Sequence, residues 1–258
     1  MAAVAAAPAS HVRRDPREEL ELPDRDYEAL AYIMEGYQET QSNVDEAIFR
    51  CTSKTPASRA IKRLAAAGFI VVDRWNGVGV NFLRGTSRGR NALVARGVDS
   101  SRLFVPQRPV AAKDLRHHMW INDCRLALRQ RGIDASPCWM LRRKLAELRP
   151  LAIPDLLAFP PAATGGVAGL LAVEVDMGTE PLKVFVPKLA VLRDMVVQWS
   201  GAQPAVVLVL TVGPRRILAM EKAVAEHADR VGVVVLPLPA ASGRMAAQEL
   251  SALLAKLM

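Results

Sequence analysis

The sequence predicts a chain of α+β and α/β character in two parts, a small helical unit closed by a hairpin and a larger mixed-sheet unit. Three observations carry this. Within residues 24–98 the hydrophobic period switches from helical to alternating after Gly68. A stretch with no period and two prolines, 99–113, reads as a linker. From Asp114 onward, helical segments alternate with short β-branched runs suited to interior strands, such as 205–212 and 231–236.

Residues 1–23, small and apolar at first and acidic near Glu18, read as a flexible tail. Arg13 and Arg14 follow the apolar run where a signal peptide would place its charge first. In the first unit, Ala29, Leu30, Ile33, Met34 and Tyr37 recur at helical spacing. A shorter helix is expected over 44–49, capped by Ser42 or Asn43. Thr55-Pro56 supplies an N-cap and a proline at the first helical position, and Gly68 ends that helix. Strands over 69–72 and 78–83 flank Asn76-Gly77, the pair that a tight type I′ hairpin turn requires. A closing helix follows from Thr86 to about Ala95. Three helices and then a hairpin is the order of a winged helix-turn-helix, whose third helix enters the major groove of double-stranded DNA. On that helix Arg59, Lys62 and Arg63 share the side opposite Ile61 and Leu64, and Arg74 and Arg84 lie on the hairpin. A basic helix face is also what an ordinary solvated surface presents. Joined to the hairpin and the basic chain, these five residues read as DNA contacts.

The second unit, 114–258, is expected to run helix (114–131), weak strand (138–142), strand (153–159), strand (167–176), helix (187–199, proline first), strand, helix, strand, helix. Thr164-Gly165-Gly166 would turn the chain between the two middle strands. The last two helices are placed at 216–230 and 248–257.

Composition bounds the function. Apolar residues make up 51% and charged residues 23%, the balance of a folded chain. Lys and Arg number 34 against 26 Asp and Glu, and a surplus of that sign suits a polyanionic partner. Cys51, Cys124 and Cys138 form no CxxC pair, which excludes a cysteine-based zinc site and fits a reducing, cytoplasmic location. No apolar run approaches the roughly 20 residues that span a bilayer, so no membrane partner is expected.

The chemistry concentrates in two strands. Strand side chains alternate faces, so Glu174 and Asp176 point the same way in the otherwise apolar run Leu171-Ala172-Val173-Glu174-Val175-Asp176. Buried carboxylates are costly unless something cationic neutralises them. If Asp155 comes from the adjacent strand, three acids converge, and oxygen ligands of that kind favour Mg²⁺ or Mn²⁺. Such a cation holds a scissile phosphate and activates water. Lys188, or Lys183 nearer in sequence, would stand beside it. His118, Asn122 and Arg125 share a helix face, and His118 and Arg125 are candidate phosphate contacts, although such a stripe is also an ordinary solvated face. The only tyrosines, Tyr27, Tyr32 and Tyr37, all lie on the first helix at core-like spacing, which argues against a tyrosine nucleophile.

The Asp…Glu-x-Asp pattern and the element order resemble the PD-(D/E)XK nuclease superfamily, a restriction-endonuclease-like mixed-sheet fold. Its usual lysine position holds Asp176 here, and Lys188 on the following helix takes the place used by some branches. More narrowly, EVDMGTEPLKVFVPKL, the helix with His117-His118 and Asn122-Asp123, and the GTSRGRNAL segment resemble the replication-relaxation family, related to MobC-type mobilisation relaxases. That resemblance covers about residues 24–200. It implies a DNA-binding winged helix joined to a nuclease-like domain acting on plasmid or mobile-element DNA, and relaxase members nick one strand with a metal. By this resemblance Asp155, Glu174 and Asp176 would be metal ligands and Lys188 the phosphate-polarising group. Other mobilisation, replication or defence proteins would be its partners. The alternative is a non-catalytic regulator or accessory factor in which the nuclease-like domain is a scaffold.

Overall fold

The computed structural model describes residues 22–50, 55–75, 80–148, 152–159, 169–201, 205–225, 232–237, 249–250 and 252. In the first part, α1 (Asp24–Glu35), β1 (Glu39–Thr40), α2 (Gln41–Val44) and a π-helical turn (Asp45–Phe49) precede α3 (Thr55–Ala66). The hairpin strands β2 (Ile70–Trp75) and β3 (Val80–Gly85) and the closing helix α4 (Ser87–Ala95) follow. The three strands form an antiparallel sheet in the order β1-β3-β2. The expected cap of the second helix moves upstream. Thr40, not Ser42 or Asn43, caps α2 by accepting from the Asn43 amide at 3.1 Å. The Asn76-Gly77 turn and Cys51 lie outside the described residues.

Leu30, Ile33, Leu64, Leu83 and Leu93 make one core, and Leu103 from the stretch read as a linker is buried in it. Phe104 stacks between Tyr37 and Trp139 at 4.9 Å from each ring centre. The start of α4 is fixed by Thr86, whose hydroxyl accepts from the Gly89 amide and donates to the Gly68 carbonyl. Gly89 must be glycine, because a Cβ there would lie 2.4 Å from the Phe69 carbonyl oxygen.

The second part contains α5 (Leu115–Gln130), β4 (Ala135–Pro137), α6 (Cys138–Lys144), β5 (Leu156–Ala158), β6 (Leu170–Asp176) and α7 (Leu182–Ser200). It continues through β7 (Ala205–Thr211), α8 (Pro214–Ala225) and β8 (Gly232–Pro237). Its five strands run in the order β4-β5-β6-β7-β8, antiparallel as far as β6 and parallel from there. All seven residues of β6 are buried. Leu171, Val173 and Val175 pack on α5, and Leu170 and Ala172 pack on α7, so the alternation of one strand fills both layers.

Two expectations change. Residues 138–142, read as a weak strand, form α6. The buried run Trp139-Met140-Leu141 has no strand alternation, and the good helix formers Leu141, Arg142, Arg143 and Lys144 carry it into a helical turn. Helix α7 begins at Leu182 behind Pro181, so Pro187 sits inside it rather than at its start. A proline in the second turn removes one backbone donor while its fixed φ remains helical. The 164–166 turn and most of 248–257 lie outside the described residues, although Leu250 is buried against the α5 face of the sheet.

Candidate functional site: an acid–lysine cleft

Glu174 and Asp176 continue the β6 face that Leu170 and Ala172 turn toward α7. Leu156 pairs with Val173 in antiparallel register, so one step along the pair Asp155 stands opposite Glu174. Both acids are buried. The Asp155 Oδ2 accepts from the Val175 amide at 2.8 Å and lies 3.1 Å from His117 Nε2 on α5. Lys188 on α7 reaches back to pair with Glu174 Oε1. The other Glu174 oxygen, Oε2, is buried with no hydrogen-bond partner. These groups line one cleft of about 510 Å³.

The electrostatics follow from burial. Desolvation, with the Asp155 charge added, pushes Glu174 up to about 7 against the opposing pull of Lys188. Burial lowers the affinity of Lys188 for its proton, but the charge and hydrogen bond of Glu174 more than restore it. His117 is likewise depressed by burial, then lifted above its ordinary value by the hydrogen bond and charge of Asp155. The cleft is therefore a charge-compensated cluster with one unsatisfied carboxylate oxygen at its centre.

Asp176 lines the same cleft but has partners of its own. Arg216 on α8 contacts both its oxygens, Nη2 to Oδ1 at 2.9 Å, while Thr211 donates to Oδ2 at 2.6 Å and the Gly178 amide to Oδ1 at 3.0 Å. The three acids expected to converge all line this cleft, but Asp176 is held by its own arginine while Asp155 and Glu174 face each other across the strand pair. Among the described residues no group of three or more His, Cys, Asp or Glu side chains is arranged to hold a metal ion. Lys183 is exposed and does not line the cleft. His117 and Arg216, the partners that sequence reasoning gave no role, come from elements distant along the chain. The one available signal was the His117-His118 pair on the helix packed over β6.

The expected nucleic-acid contacts divide in two. Arg59, Lys62 and Arg74 are exposed. Arg63 instead clamps the buried Asp26 through two hydrogen bonds, 2.6 and 2.7 Å, tying α3 to α1. Arg84 pairs with Asp73 across the hairpin through two of its guanidinium nitrogens. Each of these two faces a carboxylate on a neighbouring element.

The His118, Asn122 and Arg125 stripe faces the first unit rather than solvent or phosphate. His118 stacks on Tyr37 with ring centres 5.4 Å apart, and the Asn122 amide donates to the Gln38 carbonyl at 2.5 Å. Arg125, only 5% exposed, donates to Glu39 at 2.6 Å and to the Tyr32 carbonyl at 3.0 Å, and lies 4.3 Å over the Tyr32 ring. Asn43 and Asp123 add a buried bond of 3.0 Å beside it. A polar seam thus joins the two parts.

Fold and site define a mixed α/β chain of two sheets, with an acid–lysine cleft at one edge of the larger sheet's parallel strands. Residues 38–206 match the replication-relaxation family, more than half of the 258 residues, and the chain belongs to that family. Membership suggests a role in plasmid replication or mobilisation. No curated protein and no solved structure matches the chain. Among the described residues no helix is long and apolar enough to cross a membrane.

Proposed function

We propose that this chain is a DNA-binding protein of plasmid replication or mobilisation, with a MobC-type, PD-(D/E)XK-like cleft that nicks double-stranded DNA. The observation that carries the proposal is the buried, unpartnered Glu174 Oε2 opposite Asp155, with Lys188 alongside. A buried carboxylate oxygen with no donor fits a cation, and a donor set made of oxygen favours Mg²⁺ or Mn²⁺. Asp155 and Glu174 would hold it; Asp176 does not fit, since Arg216 and Thr211 already engage its oxygens. When bound, such an ion polarises a phosphate and lowers the pKa of an attacking water. Lys188 keeps a positive charge where negative charge would build at phosphorus. His117 fixes the orientation of the Asp155 carboxyl. The first part acts as a winged helix, with Arg59, Lys62 and Arg74 as its contacts to the phosphate backbone.

Supercoiled plasmid incubated with the protein and Mg²⁺ or Mn²⁺ should yield relaxed circles, and Glu174→Ala or Asp155→Ala should abolish them. A second reading, a non-catalytic DNA-binding regulator or accessory factor, is favoured by the engagement of Asp176 with Arg216, which leaves Asp155 and Glu174 as the strand acids of the cleft not taken by an arginine. It predicts a salt-sensitive mobility shift and no relaxed product with either metal.

A further inference from the structure

We propose that Arg142 and Lys113 grip phosphates of a nucleic-acid strand lying across the cleft, and so position a phosphodiester before Asp155 and Glu174. This rests on the nucleic-acid reading of the cleft given above. The cations around the cleft differ in how they are used. Lys188 is taken by Glu174, and the nearby Arg216 by Asp176. Arg142, on α6, and Lys113, in the turn before α5, also line the cleft, both are exposed, and neither has an ion pair among the described residues.

Placement at the end of α6 does not by itself account for Arg142. A cation in the last turn of a helix offsets its dipole, but Arg143 and Lys144 share that turn and serve the same purpose. Of the three, only Arg142 lines the cleft. The two elements carrying these cations are linked to the acid pair. The Cys138 amide at the start of α6 donates to the Asp155 carbonyl at 2.9 Å, and His117, one turn beyond Lys113, bonds the Asp155 carboxyl. Two such cations, one on a helix that touches Asp155 and one in the turn leading into another, suit a polyanion whose phosphates repeat along a strand. Arg forms forked bonds to a phosphate, and Lys acts as a point charge.

The test uses the full chain and a fluorescein-labelled oligonucleotide, in single-stranded and duplex forms, with EDTA present so that no cleavage intervenes. Anisotropy is measured over a range of salt concentrations. Arg142→Gln and Lys113→Gln should each weaken binding roughly tenfold and lower the salt slope by about 0.7–0.9, and Arg143→Gln should change neither. With Mg²⁺ or Mn²⁺ and plasmid, the same two variants should raise KM more than they lower kcat. Relaxed product together with unaltered affinity and slope in both variants would overturn the grip while the nuclease proposal stood. Loss of affinity and slope in both, with no product under any metal, would support the grip and remove the nuclease proposal. All three positions are exposed, so thermal melts matching the parent protein should accompany each result.

Discussion

Replacing Arg125 with methionine tests the seam between the two parts. The guanidinium supplies a charge-assisted donor to Glu39 Oε1, a hydrogen bond to the Tyr32 carbonyl and a cation–π contact with the Tyr32 ring. Glu39 is fully buried, and its Oε2 already has no hydrogen-bond partner. Methionine keeps most of the side-chain volume, so little cavity forms. The cost comes from leaving a buried carboxylate without its cation, about 3–5 kcal/mol. Glu39 can relieve part of this by taking up a proton, which places the expected loss near the lower end at acidic pH and the upper end above neutrality. Urea unfolding of Arg125→Met should therefore give a loss of about 3 kcal/mol or more at pH 8. The double variant Arg125→Met, Glu39→Met removes both charges and should recover most of it, a coupling of at least about 2 kcal/mol. A single-variant loss below about 1 kcal/mol, or a double variant as unstable as the sum of the singles, would refute a buried ion pair at this position.

Three further outcomes follow from buried and exposed charges in the first part. Burial pushes Glu39 up to about 7 from an ordinary 4.5, despite the opposing charge of Arg125. Between those values the folded chain binds more protons than the unfolded one, so stability is greatest below about 4.5 from this group and falls as pH rises through 7, by about 3 kcal/mol. Unfolding free energies between pH 5 and 8 should show a shallower decline in Glu39→Gln than in the parent, and identical slopes would count against the shifted group. Arg63→Gln and Asp26→Asn should each lower stability by about 1–3 kcal/mol, because both break the forked pair that ties α3 to α1. In salt-dependent mobility shifts Arg63→Gln should leave the slope unchanged while Arg59→Gln lowers it.

The sequence carried some of this plainly and some of it hardly at all. Strand β6 was legible because an apolar run broken only by two acids at alternate positions fits an interior strand and suits a helix poorly. Thr55-Pro56 and Gly68 bracketed α3 to within two residues, since caps are local chemistry. The path from β4 into α6 was not legible: Trp139-Met140-Leu141 is apolar without alternation, and a short buried run has the same pattern in a strand or a helix. Pro187 misplaced the start of α7 because a proline is compatible with the second turn as well as the first. In the site, the pairing of Lys188 with Glu174 could be anticipated from chain order. The diversion of Asp176 to Arg216 could not, because it depends on the first turn of α8 coming to lie beside the end of β6. The stripe on α5 shows the same limit. Its spacing announced a shared face, but only the docked neighbour decides whether such a face meets water, phosphate or another part of the protein.

The α5 seam has a consequence for how halves of such chains can be exchanged. Greasy surfaces slide and re-seat, whereas His118, Asn122 and Arg125 each need one complementary atom on the other side, at Tyr37, Gln38 and Glu39. A chimaera that borrows its first ninety-odd residues from a relative would dock only if those three successive partners came with it, and a mismatch at any one would leave the first part misaligned with the cleft.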